Sequence, residues 1–429
     1  MPAPSNTLLI EGSFEELCDE LAVYLDGLNN AQGQQTQLQQ EIAPLLEEGK
    51  KDDALKKLVT ASSVLSSAPE REFIAAQNLL VHLVQQSPNL DIFLPKICNN
   101  LAQPVTSSPY NGTGLALQVL STLFNTLAST SDSRYHVLLA ILRIIRASTN
   151  YSSLKPQLSN LESWLAAWEM DKDEQRKLYI AVSDVAADAG EDEDAYQYIL
   201  KALRTLQDGD SASSDEARDL SIRALKMALS SPTQFDFQDL TALDSIQALR
   251  QSSPDAFDLL EIFSSQLLED FVDFKETHTD FVSAQGLDDA SLTRKIRLLT
   301  IASIAASASQ SRTLPYAQIA KALQIPSEDV EMWVIDVIRA GLVEGKLSQQ
   351  TGTFLIHRST YRVFGENQWR EVASRLDMWR SSLMGVLQVI RHEKENFIKE
   401  KEQELRDAEQ KASGQGYRPN RMQRNAIEL

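Results

Sequence analysis

Cysteine is scarce in this chain: only Cys18 and Cys98 occur among 429 residues. Two thiols so far apart in sequence form neither a Cys-x-x-Cys metal pair nor the framework of a disulfide-rich protein. Sparse cysteine is typical of proteins from a reducing compartment, where thiols stay free. We therefore expect both cysteines to be packed in the core as small apolar side chains.

Long hydrophobic runs are also absent. No apolar stretch approaches the ~20 residues that are needed to cross a bilayer. The segment Met1 to Thr7 lacks the basic start and apolar run of a secretory signal. The formal net charge of −19 disfavours broad attraction to nucleic acid or to anionic membranes. These features predict a cytoplasmic protein with no membrane partner.

Residues of the known catalytic motifs do not occur at the required spacings. The histidines lie far apart, without a His-x-His or His-Glu-x-x-His pattern for a metal. Gly345 to Ser348 resembles the end of a phosphate-binding loop, but Ala340 stands where that loop needs a glycine. No Gly-x-Ser-x-Gly elbow occurs either. We predict no catalytic residue, no metal and no cofactor, and thus a protein that is not an enzyme.

The sequence is instead rich in helical periodicity. Residues 1–50 hold an amphipathic helix, with a capping-box pattern at Ser13 and Glu16, and a glutamine-rich segment. Residues 51–205 show one helical pattern after another, separated by short turns. Short turns favour antiparallel helical pairs, and a run of such pairs predicts an α-solenoid.

Residues 206–368 form the next predicted domain. Its helical part covers 206–289 and begins with Asp208 to Asp215, whose Gly and Ser content is typical of a flexible joint. The pattern over 290–365 is three helices followed by two short strands, which is typical of a winged helix with a small β-hairpin wing.

The ends of the third helix and of the wing strands can also be predicted. Ser327 is a candidate helix cap, and Gly341 is a candidate left-handed stop. The wing strands are expected at Leu342 to Leu347 and at Thr353 to Ile356, where β-branched and aromatic residues cluster.

The charges of the third helix argue against DNA binding. In many DNA-binding proteins of this kind the corresponding helix enters the major groove. Here the helix region carries four acidic side chains against Arg339 alone, and the acidic residues are Glu328, Asp329, Glu331 and Asp336. Such a helix repels phosphates. We expect the winged unit to pack against protein and do not expect direct nucleic-acid binding.

A long helix is predicted after Gly365, over 369–412, with a disordered and mildly basic tail at 413–429. A helix of ~45 residues spans on the order of 65 Å, so part of it should meet partner chains. Its apolar residues recur in two heptad columns, which predict a bundle or coiled-coil seam. The residues of this seam are Trp369, Val372, Leu376, Trp379, Leu383, Val386 and Ile390.

The predicted fold class is therefore all-α: an α-solenoid of helical pairs, a winged helix with a small β-hairpin wing, and a long C-terminal helix. This order of parts resembles the PCI family, named for the proteasome lid, the signalosome and the initiation factor. The segments Lys295 to Thr300, Glu328 to Asp336 and His357 to Trp369 resemble, in more detail, the subunit M family of eukaryotic translation initiation factor three.

This resemblance implies a non-catalytic scaffold subunit of the initiation factor three complex, acting in protein synthesis on the small ribosomal subunit. The implied partners are the other PCI and non-PCI subunits and, through the complex, the small ribosomal subunit. Family members join neighbours through winged-helix strand edges and bundle their C-terminal helices. The resemblance thus implies partner contacts by the seam and by a wing edge formed by Thr353, Phe354, Leu355 and Ile356.

Two alternatives stay open at the level of sequence. A PCI scaffold subunit of the signalosome or of the proteasome lid would share the same architecture. A winged-helix nucleic-acid binder would share the winged unit, although the acidic third helix disfavours it.

Overall fold

A computed structural model describes residues 12–33, 36–108, 110–206, 214–278, 280–308, 311–363 and 365–412 of the chain. Most of the predicted joint at 208–215 and the whole predicted tail at 413–429 lie outside these ranges. Residue contacts divide the chain into two compact units, one that ends at Arg362 and one that begins at Val363.

Helices form the first unit as far as residue 206. The predicted capping box is confirmed, because the Ser13 hydroxyl accepts from the Glu16 amide and the Glu16 carboxylate accepts from the Ser13 amide. The helices are α1 (Phe14–Ala31), α2 (Leu38–Glu47), α3 (Lys51–Ala61), α4 (Glu70–Gln85), α5 (Leu90–Leu101), α6 (Gly112–Thr126), α7 (Ser133–Ser148), α8 (Tyr151–Leu158), α9 (Leu161–Ala167), α10 (Lys172–Asp188) and α11 (Asp192–Arg204), with a 3-10 turn at Ser62–Ser67.

Further helices lead from residue 214 to the winged unit. Ser214 caps the first of them, since its hydroxyl accepts from the amide of Ala217. These helices are α12 (Asp215–Ser230), α13 (Gln238–Thr241), α14 (Asp244–Ser252), α15 (Pro254–Ser265), α16 (Leu268–Thr277) and α17 (Phe281–Ala284).

The apolar core runs through the first unit as four successive clusters that share helices. α7 buries Val137 and Ile144 in the first cluster, and Leu138 and Ile145 in the second. α11 in the same way divides its buried side chains between the second and third clusters. A helix that is buried on two faces links neighbouring layers, so the predicted α-solenoid is confirmed.

The winged unit contains the three predicted helices, α18 (Asp289–Ser307), α19 (Tyr316–Leu323) and α20 (Val330–Arg339). α20 begins later than predicted, because Ser327–Asp329 form a 3-10 turn, and no described side chain caps its start. Gly341 follows the helix with a φ of +73°, which confirms the predicted left-handed stop.

The sheet of the winged unit has three strands, one more than predicted. They are β1 (Thr313–Pro315), β2 (Val343–Ser348) and β3 (Thr353–Ser359), all antiparallel and in the order β1-β3-β2. The sequence pattern does not reveal β1, because three residues that end in proline are too short to alternate and resemble the start of α19.

The second unit contains one helix, α21 (Glu366–Ala412), of 47 residues. Its length confirms the predicted long C-terminal helix and corresponds to about 70 Å at 1.5 Å per residue. The start is fixed by the side chain of Gln368, which accepts from the amide of Gly365 at 3.1 Å. Across the residues described, no helix combines the length and the apolar character that a membrane span requires.

Candidate protein interaction surfaces

Gly345 lets β2 lie directly on the core of the winged unit. The strand has an irregular register between Glu344 and Gly345. A Cβ atom at Gly345 would lie 2.3 Å from the carbonyl oxygen of Leu355 and 2.6 Å from the ring of Phe354. These distances leave no room for a side chain, so only glycine permits this close approach of the two strands.

The predicted wing edge is wrong in its location. Thr353, Phe354 and Leu355 pair with β1 on one side and with β2 on the other, and Ile356 pairs with Gly345 of β2 while its amide donates to the carbonyl of Arg312. β3 is therefore the central strand. Phe354 and Ile356 are also buried in the core. Strand addition needs unpaired backbone groups, which a central strand does not offer.

The two edges of the sheet differ in what they offer to a further strand. β1 has three residues and ends at Pro315, which has no amide hydrogen to donate. β2 is twice as long and contains no proline. The longer edge with its full set of amides is the better template for strand addition, so β2 is the candidate edge.

Lys295 fastens α18 to the end of α12. Its ammonium is buried and donates to the carbonyls of Ala228 at 2.6 Å and Ser231 at 2.7 Å. The rings of Phe235 and Phe237 lie 5.7 Å and 5.4 Å from the same nitrogen. Burial lowers the pKa of Lys295 to about 7. The last carbonyls of a helix have no amide partner within the helix and carry partial negative charge. Here they take the place of a carboxylate partner for the ammonium.

Arg362 likewise binds the free carbonyls at the end of a helix, in this case α15. Its guanidinium donates to the carbonyls of Ile262 at 3.1 Å, Phe263 at 2.5 Å and Gln266 at 2.7 Å, and to the hydroxyl of Ser303 at 3.0 Å. Burial lowers the pKa of Arg362 to about 10. The last residue of the first unit is thus held against both the helical stack and α18.

The anchoring roles of Lys295 and Arg362 are not evident from sequence reasoning. Both residues lie in segments that carry the family resemblance, but a lone cation in a helical pattern is usually a solvated residue. The one feature of the sequence that hints at burial of Lys295 is its position next to the inward-facing Ile296. A periodicity argument places such a residue at the margin of the core without identifying its partners.

The predicted seam of α21 forms an exposed apolar face. Trp369, Leu376, Trp379, Leu383, Val386 and Ile390 each have more than half of their surface exposed, and Val372 is half-buried. Helical periodicity places these residues on one side of the helix. Seven further exposed apolar residues of α21 were not part of the predicted seam: Met378, Met384, Leu387, Val389, Phe397, Ile398 and Leu405. An exposed apolar surface of this size makes this side of α21 a candidate interaction surface.

The described residues contain no group of three His, Cys, Asp or Glu side chains that could hold a metal ion. Cys18 and Cys98 are buried free thiols, which confirms their expected packing. Burial raises the pKa of each thiol to about 12, so both are protonated and unreactive at neutral pH.

Comparison with known proteins identifies both parts of this arrangement. Residues 274–358 match the family model described as PCI domain, and residues 362–390 match the model described as eIF3 subunit M, C-terminal helix. The second match covers the whole of the predicted seam.

Whole-chain relatives agree with these matches. The chain is 65% identical to a eukaryotic translation initiation factor 3 subunit M of Phaeosphaeria nodorum, over 96% of this chain and 94% of that protein. It is 54% identical to the subunit M of Aspergillus clavatus, over 93% and 88% of the two chains. For Neosartorya fischeri the identity is 52%, over 97% and 92%. This chain therefore belongs to the family of subunit M of eukaryotic translation initiation factor 3.

Proposed function

We propose that this chain is a non-catalytic scaffold subunit of the eukaryotic translation initiation factor 3 complex. In this role it acts in the cytoplasm, in the initiation of protein synthesis on the small ribosomal subunit, and it contacts that subunit through the complex. The observation that carries the proposal is the exposed apolar seam of α21, which coincides with the matched C-terminal helix of the family.

The energetics of the seam support a partner helix. Each large apolar side chain that leaves water contributes about 1.5–3 kcal/mol, so seven seam residues provide a strong drive towards burial. A straight helix with heptad spacing buries such a face most completely against other helices. We assign the bundle contact to Trp369, Val372, Leu376, Trp379, Leu383, Val386 and Ile390.

The second proposed contact is the β2 edge, in place of β3. A strand from a neighbouring subunit would extend the sheet from three strands to four by pairing with Val343–Ser348. The bulge at Gly345 and the exposed Lys346 limit uncontrolled pairing with other chains, as is common for edge strands.

A scaffold role is also supported by what fixes the winged unit in place. Lys295 and Arg362 tie its first helix and the segment after its last strand to carbonyls of the preceding helices. Cations that are withdrawn from water and matched mainly to helix-end carbonyls favour a single geometry, because a shift leaves the charge without acceptors. The β2 edge is therefore presented by a fixed support.

The test is native purification of the tagged full-length chain, followed by identification of the proteins that co-elute in stoichiometric amounts. We expect the other PCI and non-PCI subunits of initiation factor 3. Stoichiometric signalosome or proteasome-lid subunits would contradict this assignment in favour of the alternative with the same architecture.

Nucleic-acid binding by the winged unit calls for a separate measurement. We expect the full-length chain to show no affinity for duplex DNA or RNA that depends steeply on salt, because the exposed carboxylates of Glu328 and Asp329 directly precede α20. Fluorescence anisotropy with labelled duplexes at low and physiological ionic strength measures this. Tight binding that weakens steeply on adding salt, and that a variant without residues 413–429 retains at low salt, would support the nucleic-acid alternative.

A further inference from the structure

One face of α20 combines exposed apolar and acidic side chains. Met332 is 55% exposed, and Ile335, one turn later, is 40% exposed. Side chains three and four positions apart on a helix are neighbours. Glu328 and Asp329 lie in the 3-10 turn just before the helix, four and three positions before Met332, and therefore lie beside it. We call these four residues the acidic-apolar face.

The exposure of Met332 and Ile335 is unusual within the first unit. Over its described ranges, seven large apolar side chains are exposed: Val23, Ile92, Tyr110, Leu267, Met332, Ile335 and Leu355. Only Met332 and Ile335 lie one turn apart on the same helix. Scattered apolar residues on a surface need no explanation, whereas adjacent apolar side chains rimmed by polar ones form a surface that a partner can cover.

The two carboxylates that precede α20 are not neutralised by an ion pair within the described residues. Glu331 accepts from the side-chain amide of Gln349 at 2.7 Å, and Asp336 accepts from Arg294 at 2.9 Å. Glu328 and Asp329, in contrast, are exposed, and neither forms an ion pair with a residue in the ranges that the structure covers. Two like charges thus stand next to the exposed methionine with no cation between them.

We propose that the acidic-apolar face binds a segment of a partner protein that places an apolar side chain on Met332 and Ile335 and a lysine or arginine on Glu328 and Asp329. Covering the apolar pair removes water from the adjacent carboxylates, which strengthens their attraction to a cation. The same carboxylates repel phosphates, so the partner is a protein and not RNA. This contact is additional to the β2 edge and to the seam.

The far end of α20 sets the orientation of this segment. Arg339 is exposed on the last turn, about 15 Å from Asp329 at the rise of an α-helix. The face is therefore negative at one end and positive at the other. A partner segment of about ten residues with its basic end over Glu328 and Asp329 satisfies both ends, and the reversed segment satisfies neither.

Site-specific photo-crosslinking within the purified complex tests this proposal. p-Benzoylphenylalanine is placed at position 332, and in a matched control at position 92, where Ile92 is a similarly exposed apolar residue on α5. We expect position 332 to crosslink to a partner peptide that contains more Lys and Arg than Asp and Glu. Combining Glu328→Lys with Asp329→Lys should reduce the yield by about tenfold, and Glu328→Gln with Asp329→Asn by about threefold.

Several outcomes would overturn the proposal: a crosslink to RNA, a crosslink to an acidic peptide, no crosslink above the position-92 control, or a yield that charge reversal leaves unchanged. The Gln/Asn pair guards against a folding artefact, because lysines at a helix start oppose the helix dipole and neutral amides do not. Retention of the chain in the complex is measured in the same sample. Absence of the unsubstituted chain from the complex counts against the proposed function, whereas retention without the crosslink counts against this inference alone.

Discussion

Lys295 shows at the residue scale how the winged helix is joined to the helical stack. Its ammonium meets carbonyls at the end of α12 and lies near two phenylalanine rings, without a carboxylate partner among the described residues. Burial lowers its pKa from 10.5 to about 7. Between these two values the unfolded chain holds a proton that the folded chain has released, so the free energy of unfolding must rise with pH.

The Lys295→Met variant isolates this contribution, because methionine fills a similar volume and does not titrate. We expect the stability of the original chain relative to the variant to increase by about 2 kcal/mol from pH 7 to pH 9. Urea unfolding of both proteins at several pH values measures the difference. If the difference in unfolding free energy between the two proteins stays constant from pH 7 to pH 9, the pKa of Lys295 is not lowered and its ammonium is less desolvated than its burial indicates.

Gly345 provides a second test at this scale. A Gly345→Ala substitution places a methyl group against the Leu355 carbonyl and the Phe354 ring, and should lower the free energy of unfolding by about 2–3 kcal/mol. Gly114→Ala is the matched control, because no atom lies within 4 Å of its Cβ position and the site is helical. That control should stabilise the protein by about 0.5–1 kcal/mol. Equal effects of the two changes in thermal unfolding would contradict the close approach of β2 to the core.

At the scale of elements, the sequence predicts the helices better than the sheet. α21 ends at the predicted residue and begins three residues before its predicted start, because a long heptad pattern is a strong local signal. β1 has no such signal. Its pairing with β3 depends on contacts between residues about forty positions apart, which local patterns do not report. The edge was therefore assigned to the wrong strand.

Proline substitutions can identify the edge that binds a neighbour. Consecutive amides of a strand point to opposite sides, so Lys346→Pro and Leu347→Pro remove one amide that faces β3 and one that faces outward. We expect one variant to destabilise the winged unit by about 3 kcal/mol and the other to keep its stability but weaken association with the neighbouring subunit. Thermal unfolding and co-purification separate the two effects. If the stable variant binds its neighbour normally, strand addition at β2 is ruled out.

For the molecule as a whole, charge and apolar surface together indicate a part of a larger assembly. A chain with a net charge of −19 is well solvated, yet it exposes tryptophans and leucines along one side of α21. The α-solenoid, the winged helix and the family resemblance are confirmed. Partner identities are beyond the reach of sequence, because the seam specifies an apolar helical surface and not which helix covers it.

The seam is tested most directly by loss of complex membership in a variant that still folds. Leu383→Asp combined with Val386→Asp places two carboxylates in the apolar face, where burial without partners costs several kcal/mol. Ser381→Asp combined with Gln388→Asp is the matched control, because both positions are exposed and lie away from the seam on the same helix. We expect co-purification of initiation factor 3 subunits, quantified by mass spectrometry, to fall below about a tenth of normal for the seam variant and to be unchanged for the control. Circular dichroism should show that both variants keep the helical content of the original chain. Undiminished co-purification of the seam variant would contradict the account.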